Sequence, residues 1–429
     1  MSLELLKERY SQEKFESFIE EVFEIEPIDT RFKSEGLTKQ HLEHIDSYKY
    51  IGRTRLSDKS RLGFFVFKSK TKNIEKKRVG FNAIIPSLTK KHIITHALVA
   101  IYHENEKSKV WRLSYVSFDI KDGKQSLNTS VKRYTYELGE EIPIKTAKSQ
   151  IGLLLNSSSI TKVLLEEVFS VEKLSNEFFK EYKQLYHKLV EDILLVIKKN
   201  RTEIQKESQE VLDDKPKIKK YIKKMLGRIV FLYFVQKKGW LNNDKKFLSN
   251  LFFTHLKDDI NFYDKILEQL FINGLNKKRA KDIMVFDNVE YTIPYLNGGL
   301  FDEDKEDALD ISIPNDDLKE VFELFDSYNF TIIEDTPHDS EVAIDPEMLG
   351  RVFEDLLEDR KEKGAFYTPR EIVHYMCQQS IKNYLETKPK EQTELEYIKQ
   401  IKILDPAIGS GAFPMGILHE ISTIRYYIY

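Results

Sequence analysis

The chain has 429 residues, 41% of them hydrophobic, with 67 basic against 70 acidic side chains and a formal net charge of −3. That length suits about three domains, and the near-neutral balance excludes a globally basic nucleic-acid binder, so any basic surface must be local. The single cysteine, Cys377, excludes an internal disulfide framework and argues against a structural zinc site. The charged start Met1-Ser-Leu-Glu-Leu-Leu-Lys-Glu lacks an apolar signal core, and no stretch approaches about 18 uncharged apolar residues, which together point to a cytoplasmic protein.

In chain order, Phe15, Phe18, Ile19, Val22 and Phe23 recur at helical spacing and predict a helix over Gln12–Phe23. Strands are expected at Leu62–Phe67, His96–Tyr102 and Val110–Phe118, the last followed by an Asp122-Gly123 turn. Residues 1–165 therefore read as an α/β domain. From about Ser170 the period changes. Leu174, Phe178, Tyr182, Leu185, Leu189 and Ile193 trace one long helix, and Ile218, Ile222, Met225, Ile229 and Tyr233 trace another. Shorter helices are expected near Lys245–Leu256, Asn261–Phe271 and Asp317–Phe325, so 166–344 read as an all-α connector. Between Lys198 and Lys238 lie 13 basic residues and five acids; this is either a solvated helix face with a linker or a phosphate-contacting patch. A third block, 345–429, opens with a helix over Pro346–Leu357, continues with a helix over Glu371–Leu385, and ends in a strand, a turn and a helix.

The last turn carries the chemistry. Residues 403–413 read Ile-Leu-Asp-Pro-Ala-Ile-Gly-Ser-Gly-Ala-Phe: an apolar strand, a turn with Asp405, Gly409 and Gly411, then a helix start. Such a turn points backbone N–H groups at whatever sits above the strand end. Glycine is needed because a Cβ would block close approach of a ligand. Asp405 at the strand end can accept from a ligand amine. The spacing fails the dinucleotide fingerprint, since position 414 is Pro, and no Gly-Lys-Ser/Thr follows for a P-loop. Upstream, Tyr367-Thr368-Pro369 reads locally as a helix start, with Thr368 as cap and Pro369 at the first helical position.

Gly364-Ala-Phe-Tyr-Thr-Pro-Arg-Glu-Ile-Val and Leu404-Asp-Pro-Ala-Ile-Gly-Ser-Gly-Ala-Phe-Pro-Met resemble the two cofactor motifs of adenine-N6 DNA methyltransferases. Their order resembles the gamma class found in type I and type IIG restriction–modification enzymes. Asp345-Pro-Glu-Met-Leu-Gly-Arg-Val-Phe-Glu-Asp-Leu-Leu and the layout of the three blocks also resemble the fused type IIG enzymes. The resemblance implies a nuclease-like α/β domain, a helical connector and the opening of a Rossmann-like methyltransferase domain. It implies that Phe366, Tyr367, Thr368 and Pro369 line the methionine end of S-adenosylmethionine, and that Asp405, Pro406, Ala407, Gly409, Ser410 and Gly411 hold its amino-acid and ribose parts. The implied partner is double-stranded DNA. Family members carry an Asn-Pro-Pro-Tyr motif that binds a flipped adenine. No Asn-Pro-Pro or Asp-Pro-Pro occurs in these 429 residues, so the chain is expected to be a fragment lacking the adenine pocket and the target-recognition domain.

In type IIG enzymes the first domain cuts DNA with an Asp…Asp/Glu-x-Lys set, the carboxylates holding Mg²⁺ that activates water. Here Asp58 precedes the strand ending in Lys68, but Val66 stands where the second acid belongs. Asp119-Ile120-Lys121 ends another apolar strand. Asp58 and Asp119 are thus the candidate metal ligands, and Lys68 and Lys121 the candidate lysines. Glu75-Lys76-Lys77 has the letters without a strand around it. The ten histidines show no metal-ligand spacing, and Cys377 reads as a core residue of an amphipathic helix. The expected function is a restriction–modification protein acting in phage defence. The alternatives are a non-catalytic DNA-binding or regulatory remnant of one, or a phage-defence methyltransferase without its own nuclease.

Overall fold

The computed structural model describes residues 3–27, 31–34, 37, 42–70, 94–104, 109–117, 120–121, 124–125, 132–200, 210–256, 260–296, 299–303, 311–332, 339–346, 348, 350, 368–389, 393–408 and 411–428. The chain divides into two compact units, Met1–Pro346 and Glu347–Tyr429. The expected Pro346–Leu357 helix falls almost wholly outside the described residues.

The first unit opens with helix α1 (Gln12–Val22), where Ser11 Oγ accepts from Lys14 N at 3.4 Å and Phe15, Phe18 and Ile19 turn inward. Strands β1 (Glu26–Pro27), β2 (Ile45–Arg55), β3 (Arg61–Ser69), β4 (His96–Tyr102) and β5 (Val110–Ser117) follow. A small hairpin of β6 (Ile120–Lys121) and β7 (Lys124–Gln125) precedes β8 (Lys132–Gly139). The main sheet has the order β1-β2-β3-β4-β5-β8, completed at its far edge by β11 (Asp339–Glu341) from much later in the chain. The β3–β4 and β8–β11 pairs are parallel; the others are antiparallel. The three expected strands form within a residue or two of their predicted ends. β2 and β8 were not anticipated. They carry polar residues whose burial only tertiary partners permit.

One face of the sheet packs on α1, α2 (Lys145–Leu155) and α3 (Lys162–Val168). Phe23 meets Phe64 at 5.0 Å, and Phe169 meets Tyr115 at 5.6 Å and Tyr136 at 5.2 Å. The Tyr136 hydroxyl donates to Gln150 Oε1 and to Val168 O. The other face is apolar over β2–β4, where Tyr48, Tyr50, Phe65, Phe67, Val99 and Ile101 cluster. It turns polar over β5 and β8. There Ser114 Oγ lies 2.8 Å from Thr135 Oγ1, Lys237 Nζ donates to Glu137 at 3.0 Å and to Asn329 at 3.1 Å, and Arg112 lies 3.7 Å from Glu341. Burial alone would raise the Glu137 pKa, but Lys237 and Arg112 outweigh it and hold the carboxyl below its ordinary value.

The helical part comprises α4 (Val171–Asn200), α5 (Glu210–Lys237), α6 (Phe247–His255) and α7 (Asn315–Asp326), with a hairpin of β9 (Ile283–Phe286) and β10 (Val289–Thr292). Two wide π-helical turns, Tyr263–Leu267 and Leu270–Leu275, replace the α-helix expected over Asn261–Phe271. α5 is the hub, with Ile222, Leu226, Ile229 and Leu232 fully buried. Its basic residues are not one outward stripe. Arg228 is 2% exposed, donates to Leu300 O and Asp302 O, and its guanidinium lies 5.4 Å from the Phe271 ring centre. Lys215 pairs with Glu191, and Lys237 reaches the buried Glu137. Arg228 and Lys237 thus satisfy carbonyls and a carboxylate inside the fold, whereas the Lys215–Glu191 pair lies at the surface.

The second unit contains α8 (Arg370–Glu386), α9 (Glu394–Gln400) and α10 (Ala412–Ile428). α9 starts from a capping box of Thr393 and Glu396. The strand expected before α10 is extended backbone without a strand partner among the described residues, and Ile403 and Leu404 stand 49% and 87% exposed. A strand exists only against a neighbour.

His96 offers a clean pH test. It is 2% exposed, stacks on Tyr115, and is pushed down to about 4 from 6.5, first by burial and then by Lys162, against a smaller opposing pull from Asp58. A depressed histidine binds protons more readily unfolded, so its contribution is whole above 6.5 and is lost as pH falls toward about 4. Denaturation of wild type and His96→Phe should therefore diverge over that window by up to roughly 3 kcal/mol. Parallel stability–pH curves for the two would rule this out.

Candidate functional site

Pro369 heads α8 with φ −53° and ψ 143°, and its carbonyl accepts from Ile372 N at 3.0 Å and Val373 N at 3.1 Å. Pro369 therefore occupies the cap, one residue later than expected, and Thr368 makes no capping bond. A proline serves here because its missing N–H would lack an intrahelical partner anyway. Thr368 is half-buried and Pro369 exposed. Phe366 and Tyr367 lie outside the described residues.

α8 and α10 pack side by side. A Cβ on Gly416 would lie 2.7 Å from Val373 Cγ1 and 3.1 Å from Cys377 Sγ. Cys377 Sγ is 3.8 Å from Phe413 O, His374 Nδ1 lies against a Glu420 carboxylate oxygen, and Ile381 and Ile424 line one cavity. Val373 follows Pro369 by four residues and Gly416 follows Gly411 by five, so this contact falls about one turn from the head of each helix.

The turn into α10 is held by few bonds. Asp405 Oδ1 accepts from Ala407 N at 3.0 Å, and Gly411 N donates to Ile408 O at 2.8 Å. Gly411 has φ +86°, a left-handed conformation that favours glycine, and among the described residues no atom beyond its chain neighbours lies within 4 Å of where its Cβ would be. Asp405 Oδ2 is buried and has no hydrogen-bond partner among the described residues. An orphaned buried acceptor costs roughly 1–3 kcal/mol, a deficit that an N–H of a bound ligand would remove. Pro406 and Ala407 are exposed; Gly409 and Ser410 lie outside the described residues. An acceptor without a partner among the described residues, a glycine with free space above it and two helix heads each about one turn from a shared contact fit the amine and carboxylate of an amino-acid-like ligand. Cys377 takes no part as a nucleophile. Burial, and then Glu420, push its thiol pKa up and keep it protonated.

Of the candidate nuclease residues, Asp58 and Lys68 are described and are not gathered. Asp58 sits in the β2–β3 turn, where Oδ1 accepts from Ser60 N at 2.9 Å and from Ser60 Oγ at 2.5 Å, and Oδ2 accepts from Lys162 N at 2.7 Å at the start of α3. These donors outweigh its partial burial and lower its pKa. Both oxygens are engaged in joining a hairpin to a helix. Lys68 stands at the other end of β3, more than about 20 Å away by strand rise. There it pairs with Glu104 and lies 3.9 Å from Asp46. Sequence reading missed Asp46 because β2 was not seen as a strand, and Glu104 because the pairing of β3 with β4 that brings it to Lys68 is not local. Asp119 lies outside the described residues, and Lys121 belongs to the short β6–β7 hairpin. Among the described residues no group of three or more His, Cys, Asp or Glu could hold a metal ion. A cleft of about 750 Å³ in the first unit, beside Lys237 and Asn329, contains none of the predicted site residues.

Residues 344–423, the second unit and the residues just before it, match the N-6 DNA Methylase family. The chain is also 29% identical over 314 residues to a candidate type II restriction enzyme and methyltransferase of Methanocaldococcus jannaschii; the match covers 60% of this chain and 26% of that protein, so the chain spans about a quarter of that relative's length. No solved structure matches the chain. Among the described residues, no helix is long and apolar enough to cross a membrane.

If Asp58 is a cap, Asp58→Ala should lower unfolding stability by about 1–2 kcal/mol, the usual loss for such a group. Unchanged stability in chemical denaturation would return Asp58 to the list of functional candidates.

Proposed function

We infer that the second unit is the methyl-donor part of an adenine-N6 DNA methyltransferase and that the chain is a portion of a cytoplasmic restriction–modification protein. The reading is supported by one observation above all: the buried, unsatisfied Asp405 Oδ2 beside Gly411, inside the stretch that matches the N-6 DNA Methylase family. S-adenosylmethionine, when bound, supplies an activated methyl group. Asp405 would accept from its amine, the 409–411 turn would let the ligand approach the backbone, and Phe366–Pro369 would close the methionine end. Helix heads α8 and α10 would direct their positive ends at the ligand carboxylate. The substrate under this reading is double-stranded DNA with its adenine flipped out of the stack. Asn-Pro-Pro is absent from these 429 residues, so the transfer step is assigned to none of them. The beginning of a Rossmann-like layer, with 401–404 as its first strand, is part of the same proposal.

Calorimetric titration of the chain with S-adenosylmethionine tests it. A hydrogen bond to a carboxylate is worth about 1.5–3 kcal/mol, so Asp405→Ala should weaken binding roughly ten- to hundredfold. Absence of binding in wild type, or full binding by Asp405→Ala, would contradict the reading.

A second reading concerns the N-terminal sheet. Mg²⁺ does not fit at Asp58, whose oxygens both accept from nearby N–H and O–H donors, and no step is derived through it. That observation favours a DNA-contacting sheet without its own cleavage chemistry over an active nuclease. The protein should leave unmethylated plasmid intact in the presence of Mg²⁺. Cutting that disappears with Asp58→Ala would overturn this second reading.

A further inference from the structure

The helices heading the two cofactor motifs meet at a glycine. Gly416 lies within α10, where alanine would favour the helix by about 1 kcal/mol. Its φ is not in the left-handed range, so backbone freedom does not explain it. Space does: its Cβ would meet Val373 Cγ1 at 2.7 Å and Cys377 Sγ at 3.1 Å. The first distance forces something to shift, because close-packed interiors hold no slack for a methyl. One turn further on, Glu420, 4% exposed, pairs with His374 across the same seam. A widened seam would disturb that contact as well.

We propose that Gly416, seated against Val373 and Cys377, is a positioning residue for the methyl-donor site. Its missing side chain sets the gap between Thr368-Pro369 and the Asp405–Gly411 turn. Gly416 stands about one helical turn from the head of α10. Val373 likewise stands about one turn past Pro369, so any separation imposed at this contact is felt close to both motifs. A ligand touching both sides loses contact with one of them when the gap opens. This rests on the reading of the site as an S-adenosylmethionine pocket.

The test measures S-adenosylmethionine affinity by calorimetry, and the thermal midpoint, for wild type, Val373→Ala, Val373→Leu, Gly416→Ala and the Val373→Ala/Gly416→Ala double variant. Gly416→Ala should weaken binding about tenfold, less than the hundredfold that a full ångström of misplacement can cost. Val373→Leu, which thickens the seam from the other helix, should weaken it similarly. Val373→Ala should lower the midpoint through its lost methyls and leave affinity near that of wild type. The double variant should recover most of the affinity despite that lower midpoint. Should Gly416→Ala not fold, Val373→Leu and the double variant carry the comparison. Affinities that simply follow the midpoints, or wild-type binding by Gly416→Ala and Val373→Leu, would overturn the positioning role alone. No binding by wild type would remove the pocket reading and this role with it.

Discussion

The candidate site depends on one contact, the seat of Gly416 between Val373 and Cys377. Helix packing distances are set by the side chains at the crossing, and here the crossing residue has none. That close approach seats α8 and α10 against each other about one turn from a proline-headed helix start and from a glycine turn. Each motif alone is an ordinary way to begin a helix. Beside the second lies a buried carboxylate oxygen that none of the described residues satisfies. Orphaned buried acceptors are rare in folded chains. Polar completion by a ligand is the physical content of the site.

The first unit is organised around a different constraint. Its sheet meets the helical part through the Glu137–Lys237 pair, and within the sheet Arg112 on β5 faces Glu341 on β11, all largely buried. Such pairs add little net stability, because desolvation offsets much of their attraction, but removing one partner strands the other. They therefore specify how sheet and helix, and strand and edge strand, fit rather than how strongly. β11 belongs to the same arrangement. It adds a parallel edge to β8 just before the chain leaves the unit, and Glu341 comes from within it.

Sequence reading recovered what local periodicity encodes. α1 and strands β3, β4 and β5 stand close to their expected limits because apolar residues dominate them. β2 reads Ile-Asp-Ser-Tyr-Lys-Tyr-Ile-Gly-Arg-Thr-Arg, and β8 carries Arg133, Thr135 and Glu137 on a buried face. Lys49 is buried against Glu16, a partner 33 residues away, and no local pattern announces such a pairing. The nuclease candidates met the same limit. Asp58 has the right letter ahead of a strand, and its carboxylate accepts from Ser60 in the turn and from Lys162 N at the start of α3. In the second unit the motif letters located Asp405, Pro369 and Gly411. Gly416, five residues past the motif, was invisible because its role exists only where another helix arrives.

The most direct measurement of the central claim is a crystal structure of the chain grown with S-adenosylmethionine. The account predicts ligand density at the heads of α8 and α10, with the ligand amine within hydrogen-bond distance of Asp405 Oδ2. Ligand bound elsewhere, or Asp405 Oδ2 satisfied by the protein's own N–H with the helix heads empty, would contradict it.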